Sequence, residues 1–231
     1  MDIAANAPNE AELFLHTHPY PPFIPPNADK LIVGTLPPPR FSQGWLKADD
    51  VDFCYGSRDG QLWLILGKIF GVDFQFENSQ SAVQQRQHFL YEHNIGICDI
   101  VQQCQRAKID ASDIGMQQIV LRPLLHYLSE NPKINTLLFT GGNSKNGPEY
   151  LFRRHLKTAG LSLTLVNNTI PRIHQFSWQN RTFTTVSLTA PSGAANRAVG
   201  SMAEYKQLKA QHPEFNTIDF RVLQYQRFFK N

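Results

Sequence analysis

Leu31-Ile32-Val33-Gly34-Thr35-Leu36-Pro37-Pro38-Pro39-Arg40 reads as a strand that ends abruptly and turns into a stiff loop. A short apolar run closed by glycine marks a strand buried on both faces, as in the middle of a parallel sheet. Ile134 to Gly142 repeats the strand and glycine turn, Ile95-Gly96-Ile97-Cys98-Asp99-Ile100 reads as a buried strand ending in a polar residue, and Leu161 to Val166 and Thr184 to Leu188 read as further strands. Between these runs lie helical patterns: Gln61 to Phe70, with Leu62, Ile65, Leu66 and Ile69 on one face; Ser81 to His93; and Leu124 to Leu128 behind Pro123. A helix carrying Tyr150, Leu151, Phe152 and Leu156 is expected to be capped by Asn143 or Ser144. Met202 to Lys209 and Thr217 to Phe229 complete the set, and Trp178 to Thr182 reads as a hairpin turn.

Alternation of strands and helices predicts an α/β fold, a three-layer α/β/α sandwich around a central four-stranded, mainly parallel sheet. Residues 1–29 are expected to form a Pro-rich extension packed on the domain, with a weak helix at Glu10 to His16 and no ladder through Pro19 to Pro26. Residues 30–231 form one domain, a size that buries an ample core.

The chain has 231 residues, 42% hydrophobic and 18% charged, with a net charge of +3. That charge permits a polyanionic partner without arguing for one. No run approaches the roughly 18 apolar residues of a membrane helix, and the first nine residues lack a secretion pattern. No membrane partner and a cytoplasmic location are therefore expected. Cys54, Cys98 and Cys104 form no ligand pair, so a metal or disulfide framework is not expected.

In an open parallel sheet, ligands gather at the carboxyl ends of the strands. Four loops fall there: Gly34 to Arg40, Cys98-Asp99 onward, Gly141 to Lys145, and Thr189 to Arg197. Phe53 to Gly60 should border them, adding the ring of Tyr55 and the carboxylate of Asp59. A flat aromatic face with a polar edge suits a nucleobase, and a Pro/Gly rim with arginines suits a phosphate backbone. Each residue also has a plainer reading: Tyr55 as a structural aromatic, Asp99 as a helix cap, Asp59 as a loop carboxylate paired with Arg58, and His174 as an ordinary loop histidine.

Taken in order, five stretches resemble the uracil-DNA glycosylase superfamily, nearest its mismatch-specific and hypoxanthine-DNA glycosylase branch. They are Leu31 to Pro37, Tyr55 to Trp63, Gly96 to Val101, Phe139 to Gly142, and Leu188 to Gly193. The resemblance spans roughly residues 30 to 210. It implies a monomeric DNA-repair enzyme without cofactor that flips a deaminated base, uracil or hypoxanthine, and hydrolyses its N-glycosidic bond. It also implies base contacts from Thr35, Leu36, Tyr55, Asp99 and Gly141. DNA contacts would come from Pro37, Pro38 and Arg40, from Ser144 and Lys145, and from Pro191, Ser192, Gly193, Asn196 and Arg197. The sequence departs from the pattern at Leu36, where several branches carry a water-holding Asp or Asn, and at Gly60, where the hypoxanthine branch carries Asn. Asp59, beside Gly60, is the candidate catalytic residue. Two other functions stay open: a non-catalytic nucleic-acid or nucleobase binder of this fold, and a small-molecule α/β hydrolase, against which stands the absence of nucleophile-elbow and P-loop motifs.

Overall fold

The computed structural model describes residues 13–230. Along the chain run β1 (Phe14–Thr17), β2 (Lys30–Val33), α1 (Pro39–Ser42), α2 (Leu62–Phe70), α3 (Gln80–Glu92), β3 (Ile95–Ile97), β4 (Val101–Arg106) and β5 (Gln117–Leu121). They are followed by α4 (Leu124–Glu130), β6 (Thr136–Phe139), α5 (Pro148–Thr158), β7 (Thr164–Asn167), β8 (Arg172–Trp178), β9 (Arg181–Ser187), α6 (Asn196–Ser201), α7 (Ala203–Gln211) and α8 (Thr217–Phe229).

The main sheet has six strands in the order β3-β2-β6-β9-β8-β7, where four were expected. β3, β2, β6 and β9 are mutually parallel. The hairpin of β8 with β9 and the edge strand β7 then extend the sheet antiparallel. Of the two strands beyond the parallel four, β7 overlaps the expected run Leu161 to Val166, and β8 joins because Gln179 and Asn180 take positive φ, 49° and 58°, the geometry of a tight hairpin that links it to β9. A second, three-stranded sheet, β1-β4-β5, was also not expected.

Side chains along the parallel strands alternate between two apolar clusters. Ile32, Leu138 and Val186 join residues of α2, α3 and α8 in one. Leu31, Val33, Leu137 and Phe139 join residues of α4 and α5 in the other. The period of two thus places helices on both faces of the sheet. α8 begins where Asn216 accepts the amides of Ile218 and Asp219 while Asp219 accepts that of Asn216, a complete capping box.

Three further expectations are corrected. Phe14–Thr17 is a strand paired with β4, not helix, while residues 10–12 lie outside the described residues. The Pro-rich stretch does join a sheet edge at one point, Phe23 bridging Ile97. The cap of α5 is Gly147, with Pro148 at the first helical position, where its missing N–H costs no bond. Among the described residues no helix is long and apolar enough to cross a membrane.

Candidate functional site

The sheet order reverses direction of growth between β2 and β6: β3 follows β2 on one side, β6 on the other. At such a switch point the loops diverge and leave a crevice. Here the crevice opens as a cavity of about 400 Å³. Thr35, Leu36, Pro37, Pro38 and Arg40 line it from the loop after β2; Tyr55 and Asp59 from the next loop; Asp99 from the turn after β3. Thr140 closes it after β6, and Pro191, Ser192 and Gly193 after β9. A neighbouring cavity of about 570 Å³ takes Gly141 and Ser144 instead. Asp113, Thr140 and Ala190 form the wall common to both. Lys145 and Arg197 are exposed and line neither.

Asp99 is almost fully buried, at 5% exposure. Its Oδ1 accepts the amide of Gly34 at 3.0 Å, and its Oδ2 lies 2.9 Å from His18 Nε2. His18 Nδ1 accepts the amide of Tyr20, so the ring proton sits on Nε2 and is donated to Asp99. Burial works to raise the Asp99 pKa, but the His18 hydrogen bond, then the electrostatic pull of His18 and Arg122, outweigh it and hold the carboxyl below its usual value. Asp99 is therefore a fixed, ionised acceptor, and it caps no helix.

Tyr55 adopts φ 56°, unusual for a side-chain-bearing residue, and this turns its ring into the cavity wall. Its hydroxyl is 2.9 Å from Thr140 Oγ1. Burial first, and the Asp99 charge second, push the phenol well above its ordinary pKa. A Cβ on Gly34 would lie 2.0 Å from the Tyr55 hydroxyl oxygen and 2.7 Å from Asp99 Oδ1. Only glycine lets the strand end, the phenol and the carboxylate meet.

The loop from residue 34 to 60 is organised by Asp50, which has no exposure. Arg40 donates Nε and Nη2 to its two oxygens at 2.7 and 2.8 Å, and the amides of Lys47 and Arg58 add bonds of 2.9 and 2.8 Å. Burial opposes the charge; the Arg40 bonds and the two amides overcome it and lower the pKa to about 2. Arg40 also donates to Ser57 Oγ, so its guanidinium serves the loop's own structure. Asp59 stands at the rim, 67% exposed, 3.7 Å from Arg40 Nη2 and 3.9 Å from Lys47 Nζ. Its nearest ion-pair partners are these two, while Arg58 pairs with Asp49.

Across the cavity, α8 props the loop after β9 from below. Arg221 donates to the carbonyls of Ala190 and Ser192, Tyr225 donates to that of Thr189, and Gln224 accepts from the Thr189 amide and hydroxyl. These three side chains share one face of the helix, three and four residues apart. Asn196 belongs to this scaffold: its Oδ1 accepts from Arg221 and Thr217. The two loops are stitched together where Gln61 donates its amide to Pro191 and Gly60 bridges Ser192.

Sequence reasoning missed three functional candidates. Thr140 lies inside the quoted Phe139 to Gly142 stretch and was legible by position. Asp113 accepts Thr35 Oγ1 at 2.7 Å, a contact across 78 residues with no local signal. Behind the second cavity, fully buried Glu149 gathers Ser187, Arg153 and Arg172. His174 is the fourth member of that group: it lies on β8, not in a loop, and Arg153 Nη2 is 2.8 Å from its Nε2.

No protein-family model matches the sequence, and no curated protein matches it. Among solved structures the chain is similar to a solution NMR structure described as a "putative Uracil DNA glycosylase" from Methanosarcina acetivorans, at 17% identity and a TM-score of 0.52. The match covers 94% of this chain and 98% of the other. The two proteins share a fold over nearly their whole lengths; at that identity the likeness is one of architecture.

Proposed function

We propose that this protein is a DNA-repair glycosylase that receives a flipped, deaminated base in the smaller cavity and hydrolyses its bond to the sugar. The observation that carries the reading is the meeting of Tyr55 and Asp99 in one cavity of about 400 Å³ at the switch point of the sheet. That volume sits in the range of small-ligand sites, about 300–1,000 Å³. The Tyr55 ring offers a stacking face for an extruded base. Asp99 offers a charged acceptor, which suits the ring N–H of uracil or hypoxanthine and repels the bare ring nitrogen that cytosine or adenine presents there. The likeness in fold to a protein described as a uracil DNA glycosylase supports the same reading.

The transition state of glycosidic hydrolysis carries positive charge on the sugar, so carboxylates beside it stabilise the reaction electrostatically. Exposed Lys145 and Arg197, in the segments that follow β6 and β9, supply cations for a phosphate backbone. A second reading, binding without chemistry, is favoured by Leu36 and Gly60, which put no water-holding side chain at two lining positions. One assay separates the two. Single- and double-stranded oligonucleotides bearing uracil, hypoxanthine, xanthine or an oxidised base are incubated with the purified protein and treated with alkali. Cleavage at one lesion supports the enzyme, and salt-sensitive binding with no abasic product on any substrate supports the binder.

A further inference from the structure

We propose that Asp113, held in place by Thr35, is the carboxylate that takes the proton from the attacking water, in preference to Asp59. This rests on the glycosylase reading of the same site.

The cavity is lined by three carboxylates, and their surroundings separate them. Asp59 stands in solvent at the rim, 67% exposed, with its Oδ2 3.7 Å from Arg40 Nη2 and 3.9 Å from Lys47 Nζ, so it is solvated and ion-paired rather than fixed in the cavity wall. Asp99 has one oxygen engaged by His18 and the other by the Gly34 amide. Asp113 is half-buried in the wall between the two cavities. Its Oδ1 accepts the Thr35 hydroxyl at 2.7 Å, while Oδ2 has no hydrogen-bond partner among the described residues.

The turn that presents Asp113 is itself fixed. The Asn146 side-chain amide donates to the Asp113 carbonyl at 2.9 Å, and Arg106 Nη1 donates to that of Ser112 at 2.7 Å. Four groups face the carboxyl or its turn: Thr35 from the loop after β2, Arg106 from β4, Asp99 from the turn after β3, and Asn146 from the loop after β6. Arg106 is in turn tied to His16 on β1 and lies 3.8 Å from Asp110. Burial raises the Asp113 pKa; Thr35 and Arg106 oppose it, Asp99 adds to it, and the result is pushed up to about 6. A base with that affinity for a proton is ionised at neutral pH and accepts a proton more readily than an ordinary carboxylate.

In the step proposed, the water oxygen bonds to C1′ of the sugar and one of its protons passes to Asp113 Oδ2. The C1′–N bond breaks, and its electron pair leaves with the base as an anion. Solvent protonates that anion, and Asp113 returns its proton to solvent. Thr35 is a positioning residue: it turns the carboxylate and leaves Oδ2 directed at the water.

The test is single-turnover cleavage of a lesion oligonucleotide between pH 4.5 and 8. Wild type is expected to rise tenfold per pH unit to a break near 6 and then level. Asp113→Asn should lose 10²- to 10⁴-fold in rate, the usual contribution of a general base, and should lose the break. Its affinity for the lesion strand should change no more than a few-fold. Its thermal midpoint at pH 8 should be no lower than wild type: the folded pKa lies above the usual 3.8, so the ionised carboxyl costs stability as pH rises through 6. Thr35→Val removes a bond that favours the ionised form and should move the break upward. Asp59→Asn should fall far less than Asp113→Asn. Wild-type-like cleavage by Asp113→Asn, or an unmoved break in Thr35→Val, overturns the assignment while leaving the glycosylase intact. A wild-type protein that cuts none of the lesions overturns the glycosylase reading itself, and this inference with it.

Discussion

The loop after β2 and the loop after β9 face each other across one cavity, but the first is pinned through an ion pair and the second through backbone carbonyls. Asp50 gathers Arg40 and two amides inside the first loop. Arg221, Gln224 and Tyr225 reach into the second from a helix that follows it in sequence. The first jaw depends on a titratable carboxylate and so on acidity. The second depends on the docking of α8, and the side chains that reach it, Arg221, Gln224 and Tyr225, include no carboxylate. A stable site thus has two separable ways to fail.

Asp50→Ala should break that comparison most strongly. Removing one partner of a buried pair leaves Arg40 without its counter-charge and costs about 3–5 kcal/mol, read from urea unfolding. Acid supplies a gentler version. The folded pKa of Asp50, about 2, lies below the usual 3.8, so its ionisation stabilises the fold above pH 4 and that contribution is lost as pH falls through about 2. The stability gap between wild type and Asp50→Asn should narrow by about 2 kcal/mol over that window. A gap that stays constant with pH would show that the loop does not depend on the charge.

Gly34→Ala acts where the jaws converge. The added methyl would overlap the Tyr55 hydroxyl, forcing the ring or the strand end to move at a cost of about 1–3 kcal/mol. Lesion affinity should fall with it, since both Tyr55 and Asp99 would be displaced. Equal affinity in the variant would remove the two residues from base recognition. Tyr225→Phe should have the smallest effect, about 1 kcal/mol for one hydrogen bond to the Thr189 carbonyl. Its unfolding curve should be insensitive to pH between 2 and 4 relative to wild type, in contrast to Asp50→Asn.

The parallel core was legible because β2 and β6 carry continuous apolar runs, the signature of strands covered on both faces, and β9 is rich in β-branched residues. α8 was legible to the residue because its capping box and its apolar stripe agree. The second sheet was not: Val101–Arg106 and Gln117–Leu121 carry glutamines at positions that a half-exposed ladder tolerates, so neither run stands out from a loop. β7, exposed throughout, contributes almost nothing to the core and is specified by its hairpin neighbour. For the site, position along strand ends brought Thr35, Tyr55, Asp59, Asp99 and Ser192 to one cavity. Charge type alone did not show the internal bonds of Arg40 and Asn196, whose polar groups meet Asp50 and Arg221. Asp50 and Asp113 were overlooked for one reason: a carboxylate's neighbours across the fold decide its role, and a linear string does not display them.

Every strand of both sheets is complete by residue 187, whereas the supports of the upper loop begin only at residue 217. A chain interrupted between those points would keep its strand pairings yet lose the helix that both covers part of one sheet face and shapes the entrance. Truncation there would register in stability as well as in the entry of a partner.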